Sequence, residues 1–248
     1  MIKGNQLLYF QIVALLSLPL LFIFGTTIDF VLCFIVHVIM NLFGQVITYH
    51  RTITHKACVL PRWAFLLGNT SAILAGLGTG LSWAANHLQH HRFSDTEKDP
   101  HSPLFNSKWH IYTHSMRSDI NMKYSASLLR DKTLVWFHNN FWNIHLAYIL
   151  ILLVVYPFGI ISMYLAPASI LWAISCAFNI YCHLHGYRNF ETKDQSTNNW
   201  IISLLAFGEG WHNNHHRYPG SYTTQVKWWE IDIAGLVIKL IRKKEVKE

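Results

Sequence analysis

Charge is scarce in this sequence. Only 13% of its 248 residues are Asp, Glu, Lys or Arg, about half of the roughly 25% usual in a soluble domain. That shortage argues against an ordinary soluble enzyme. Paired cysteines are missing too: Cys33, Cys58, Cys176 and Cys182 form no CxxC pair, and three of them lie in apolar runs. Nothing therefore supports a disulfide scaffold or a cysteine-based zinc ribbon. No internal repeat, low-complexity tract or linker marks a second unit, so residues 1–248 read as one domain. Acidic residues are the scarcest charge, 13 against 20 Lys plus Arg, for a formal net charge of +7. In so apolar a chain the positive-inside bias of a membrane protein accounts for this more simply than nucleic acid, which is not expected as a partner.

What is present is apolar. Hydrophobic residues make up 52% of the chain, and a mean hydropathy of +0.22 leaves room for a large polar portion beside membrane spans. Four stretches, about 7–25, 29–49, 144–165 and 167–185, have the roughly 20 residues a bilayer crossing needs. The first is longer than a signal-peptide core and lacks a small-x-small cleavage site, so it is expected to be retained. Turns around Gly25 to Asp29, and from Tyr164 to Ser169 around Pro167, pair the spans into two hairpins. Neither turn contains Lys or Arg, whereas all twenty basic residues lie in the amino-terminal stub, in 50–140 or after residue 187. The positive-inside rule puts those regions, and both termini, on the cytoplasmic face. The apolar stretch 63–85 carries Gly, Ser, Thr and Asn, and is expected to lie along the interface or re-enter without crossing. KWWEIDIAGLVIKLIRKK near the carboxyl end reads as an amphipathic helix resting on the membrane or on the cytoplasmic domain. The fold class is an all-α, multi-pass integral membrane protein: four transmembrane helices with a cytosolic helical cap, 50–140 and 186–248, around a His-rich dimetal site.

The histidines supply the chemistry. There are 16, more than all Asp and Glu together, and histidine is the commonest metal ligand. They cluster as HRTITH (His50, His55), HLQHH (His87, His90, His91), CHLHG (His183, His185) and HNNHH (His212, His215, His216). Positions i, i+3 and i+4 share a helix face, so each HxxHH can aim three imidazoles at one point. The i, i+5 spacing of His50 and His55 turns the second ring about 140° around an α-helix, which requires the helix to end near His50. One centre needs all ligands on one side of the membrane, a second reason for 63–85 not to cross. Imidazole suits Zn, Cu, Fe and Ni. So many histidines exceed one ion's capacity, which implies two metals, and an oxygen-activating di-iron centre is preferred because zinc has no redox chemistry. Asp95, Asp99, Glu191, Asp194 and Glu209 are candidates to support the ligands from behind. His37 and His145, alone in apolar segments, read as structural, and His110 and His114 as surface residues.

These motifs resemble the membrane fatty-acid desaturases, in particular the delta-9 branch that holds stearoyl-CoA desaturase and bacterial and cyanobacterial acyl-lipid desaturases. HRTITHK at 50–56, HLQHHRFSDTEKDPHS at 87–102, NIYCHLHGYRNFETKD at 179–194 and FGEGWHNNHHRYP at 207–219 carry the resemblance, which runs from the second span to about residue 235. It implies nine ligands, His50, His55, His87, His90, His91, His183, His212, His215 and His216, with Asn179 reaching the second metal through water. His185 falls where the family does not require histidine. It further implies two Fe, O2 as co-substrate, and a bent tunnel for a saturated acyl chain, shaped by Trp83 and Ser175, in which a cis double bond is made.

Departures from the family pattern matter for the substrate. Ala85, Asn86 and Leu88 stand where animal acyl-CoA members carry Arg and Asp, which weakens the case for acyl-CoA and raises acyl-lipid or acyl-carrier-protein substrates. PLFNSKWHIYTH replaces an aromatic stretch after residue 103. No haem or CxxC module is seen, so electrons are expected from a separate carrier such as ferredoxin or cytochrome b5, favoured by the basic face. Two alternatives stay open: a related di-iron lipid or carotenoid hydroxylase or ketolase, and a non-enzymatic His-rich membrane metal or haem protein.

Overall fold

The computed structural model describes residues 4–114 and 121–243. Their regular elements are all helices, with two isolated bridge pairs and no strand among them. Helix α1 (Gly4–Phe24) is followed after two residues by α2 (Thr27–Thr54). The reversal is set by Thr26, whose hydroxyl accepts from the Asp29 amide while the Asp29 carboxylate accepts from the Thr26 amide at 2.9 Å, a capping box. Then come α3 (Arg62–Leu74), α4 (Gly80–Phe93), α5 (Lys108–His114), a 3-10 segment (Met122–Arg130), α6 (Lys132–Asn139) and α7 (Phe141–Val155). A long α8 (Ile160–Leu184) and three short helices, α9 (Trp200–Leu205), α10 (His212–Arg217) and α11 (Ile233–Ile241), complete the described chain.

Helices α1, α2 and α8 are each long and apolar enough to cross a membrane; a fourth crossing exists only if α6 and α7, bent by 64° at their junction, count as one. The expected spans 144–165 and 167–185 therefore need correction. The chain turns at Tyr156 to Gly159, and one continuous helix runs through Pro167. Pro167 brings no N–H to the carbonyl four residues earlier, but the helix accommodates it with a wider π-type winding over Ile160–Leu165. The Met163 carbonyl accepts instead from the Tyr148 hydroxyl at 3.1 Å. The two hairpin turns meet, because the Tyr156 hydroxyl donates to Asp29 at 2.6 Å. Both hairpins thus turn at one end, and the histidine-bearing ends of α2 and α8 lie at the other.

The 62–93 segment descends and returns. Gly44 of α2 packs so closely on α3 that a Cβ there would meet the Ala72 amide nitrogen at 2.9 Å, and a Cβ on Gly68 would meet that of Thr48 at 2.6 Å. These contacts run α3 antiparallel to α2. At about 1.5 Å per residue its 13 residues reach only about 20 Å. Gly76 and Gly78, at φ of +71° and +79°, reverse the chain, and the Tyr49 hydroxyl donates to the Gly78 carbonyl at 3.1 Å. Helix α4 then brings His87 back beside His55, so the segment leaves from and returns to the same end of α2. The C-terminal helix α11 buries Ala234 and Ile238 against Val46, Ile47 and Ala64, which seats it on α2 and α3.

Candidate metal centre

Helix α2 does not end at His50, as the 140° offset would require. Its second half, Ile39–Thr54, is wound as a π-helix, with the His55 amide donating to the His50 carbonyl at 3.1 Å. The Thr52 and Thr54 hydroxyls donate five residues back, each at 2.7 Å. A turn that closes over five residues puts His50 and His55 on one face, which is how both rings enter one cluster.

Nine imidazoles converge at this end in two groups. His50, His55, His87, His91 and His215 form one, and His90, His183, His212 and His216 the other; within each, potential ligand atoms lie within 4.8 Å of one another. Each HxxHH is split between the groups. His87 and His91 face the first and His90 the second; His212 and His216 face the second and His215 the first. The expectation that three rings of one motif meet at one point is corrected. Residues i and i+4 stay within about 40° of each other around the helix axis, while i+3 lies about 100° from i+4, on the other flank.

The spacing is what a metal would need. Nε2 atoms lie 3.0 Å apart for His50 and His215, for His55 and His87, and for His87 and His91, and 2.9 Å apart for His91 and His215. In the second group His183 and His212 are 3.0 Å apart, and His90 and His216 3.3 Å. Two nitrogens about 2.1 Å from one ion are about 3.0 Å apart at right angles and about 3.4 Å apart at tetrahedral angles, so the five-histidine group fits octahedral more than tetrahedral coordination. Burial first, and neighbouring imidazoles second, hold His87, His91, His212 and His215 well below the ordinary histidine pKa. These rings are neutral and offer lone pairs.

Carboxylates orient the rings from behind. Nδ1–H of His90, His183 and His216 donates to Asp99, Asp95 and Asp194 at 2.9, 2.9 and 2.8 Å, and His50 Nδ1 pairs with Glu209. A proton fixed on Nδ1 leaves the Nε2 lone pair facing inward. Burial works against the charge on Asp99 and Asp194, but their histidine partners outweigh it and hold both below the usual carboxylate range. Of the five acids read from the sequence, Glu191 differs: its side chain is 99% exposed and 4.0 Å from Arg188, away from every clustered histidine.

A pocket opens beside the first group, lined by His50 and His87, by Trp83, Ser175 and Asn179, and by Leu7, Leu77, Ile174 and Phe178. Trp83 stacks on His87, with ring centres 4.8 Å apart at 20°. Ser175 donates to Gln45 Oε1 at 2.7 Å, linking α8 to α2 across the pocket wall. Gln45 and His101 are additions to the sequence reading. His101 lines the pocket and stacks on His90 at 4.5 Å; its place in DPHS beside Asp99 was the only available signal. His185 is exposed and joins neither group. His37 Nδ1 lies 3.4 Å from the Pro167 carbonyl and His145 pairs with Tyr164, both structural contacts. His110 is half-buried, and the His114 side chain lies outside the described residues.

A sequence model of fatty acid desaturases matches residues 11–239. An acyl-CoA C20 Delta5-desaturase of Anemone leveillei is 33% identical, over 96% of this chain and 80% of its own. A chloroplastic palmitoyl-monogalactosyldiacylglycerol delta-7 desaturase of Arabidopsis thaliana is 32% identical over 83% of this chain, which spans only 57% of that relative's length. An sn-1 stearoyl-lipid 9-desaturase of Synechocystis is 32% identical, over 85% of this chain and 68% of its own.

Proposed function

We propose that this chain, which belongs to the fatty acid desaturase family, is an O2-dependent di-iron acyl desaturase that introduces a cis double bond at the delta-9 position of a saturated chain. The observation that carries this reading is the pairing of two all-imidazole groups with a largely apolar pocket that reaches His50 and His87. The reaction converts a methylene pair, O2, two electrons and two protons into a cis alkene and two waters. Bound iron would supply O2 activation. His50, His55, His87, His91 and His215 would hold one ion, and His90, His183, His212 and His216 the other, with Asn179 adding a water-mediated contact.

The rest of the site positions the substrate. Apolar walls bind the chain and keep bulk water from the reacting carbons. Trp83 braces His87, and the Ser175–Gln45 bridge sets the width of the pocket near His50. A one-carbon shift of the chain would present a different methylene pair, so this bridge bears on where the bond is made. Relatives named for Delta5, delta-7 and 9-desaturation, on acyl-CoA and on lipid, share about 30% identity with this chain. We take chain length, carrier and regiochemistry to be set by the pocket residues. We take the acyl group to be carried by a lipid. Within this reading the chain is a single domain, crosses the bilayer four times, and keeps both termini and the cap in the cytoplasm. Its basic face receives electrons from an acidic carrier protein such as ferredoxin or cytochrome b5.

Expression in a desaturase-deficient host, followed by double-bond positioning in intact lipids and in acyl-CoA, tests this. A new cis-9 acyl chain in lipids is expected. A hydroxyl or keto product without a new double bond would replace desaturation by the related oxygenation chemistry.

A further inference from the structure

Arg51 follows His50 in α2, yet its side chain is only 2% exposed, among the most buried large residues of the protein. All five of its N–H donors are used. Nε and Nη2 donate to Glu209 Oε1 at 3.0 and 2.6 Å. Nη1 and Nη2 donate to the two Asp232 oxygens at 2.8 and 3.0 Å, and Nη1 also to the Tyr222 carbonyl at 2.8 Å. Glu209 Oε2 is left for His50 Nδ1. An unbroken chain of contacts thus runs from Asp232, just ahead of α11, through Arg51 and Glu209 to a histidine of the five-membered group.

A second set of contacts holds the turn that presents Glu209. Phe207 and Gly208 have φ of +51° and +111°, a conformation side chains disfavour, and Gly208 has no room for a Cβ against Asp232. The Ala234 amide donates to the Phe207 carbonyl, and the Thr224 hydroxyl to the Gly208 carbonyl, each at 2.9 Å. Asp232 also accepts from the Thr224 and Gly235 amides at 2.8 and 2.9 Å. Residues 222–235 therefore wrap the turn before HNNHH from outside. Buried ion pairs are poor sources of net stability. A guanidinium with both carboxylates fully engaged is, by contrast, well suited to fixing the direction of a third group.

We propose that Arg51 is a positioning residue for the five-histidine site. Together with Asp232 it immobilises Glu209, and Glu209 fixes the ring orientation and tautomer of His50, so the C-terminal segment 222–235 is a working part of that metal site. The ring partners of the four-histidine group are Asp95, Asp99 and Asp194, none of which is a contact of Arg51. The proposal rests on the two-metal reading above.

The test counts iron per folded chain in full-length protein purified in detergent, by elemental analysis of the monodisperse fraction, with helix content followed by circular dichroism. Wild type is expected to hold two irons; fewer would sink the two-metal reading itself. Arg51→Met leaves two like charges facing each other in a buried site and is expected to hold fewer than two irons per chain, the loss confined to one site, with helix content unchanged. Should Arg51→Met not fold, the isosteric Asp232→Asn decides: one of two iron-binding steps weakens ten-fold or more, and the other stays unchanged. Two irons held at wild-type affinity in either folded variant would overturn the proposal. So would equal loss from both sites in a folded variant, because the role would then be general support of the fold.

Discussion

The two histidine groups sit side by side and share two helices, yet they are built on opposite plans. The first has five imidazoles and one carboxylate behind them, Glu209, whose other oxygen is committed to Arg51. The second has four imidazoles and three carboxylates, each bonded to a different ring. One site is rich in ligands and poor in supporting charge; the other is the reverse. An ion held by neutral imidazoles keeps its full positive charge, and nearby anions offset that charge without occupying a coordination position. The pocket reaches the first group through His50 and His87.

The largest effects test ligand number. His90→Ala and His215→Ala are both expected to abolish product, by 10³-fold or more, with the protein still in the membrane. They should differ in iron content. His90→Ala leaves three imidazoles and loses its iron, whereas His215→Ala leaves four and retains part of its own. Equal iron loss in both would break the contrast. Asp194→Asn comes next: it removes an acceptor from His216 and is expected to lower activity 10- to 100-fold, in line with other carboxylate partners of metal-bound histidines. Smaller again is the pocket wall. Gln45→Leu with Ser175→Ala should leave turnover within about ten-fold of wild type while changing the distribution of double-bond positions, read by mass spectrometry of the lipids. An unchanged product distribution would remove the bridge from the account. Smallest is Glu191→Gln, on a 99% exposed side chain. Stability is expected to stay within about 0.5 kcal/mol and activity unchanged, a contrast to Asp194 three residues on.

Much of this was legible in the sequence, and the illegible parts share a cause. HxxHH spacing follows from helix periodicity, so the residues that cluster can be read from the chain. Which ring goes to which group cannot, because that depends on where the neighbouring helix lies on each flank. His55 is legible as a candidate for the wrong reason: the sequence brings it in by ending the helix near His50, whereas a π-winding with no sequence signature in HRTITH brings it in with the helix intact. Pro167 misleads for the same reason: a local rule places a turn there, and a wide winding before it lets the helix continue. Nothing in the sequence marks Arg51 as buried, because the residues that enclose it, Glu209 and Asp232, are 158 and 181 residues away. Four of the five suggested acids touch a clustered histidine, whereas Glu191 points to solvent.

The most direct test of a two-ion centre with unequal sites is Mössbauer spectroscopy of the purified protein loaded with 57Fe, together with its iron count. Two irons per chain, giving two quadrupole doublets of equal area and different parameters, are predicted. A single iron per chain, a haem spectrum, or two irons in one indistinguishable environment would contradict the account.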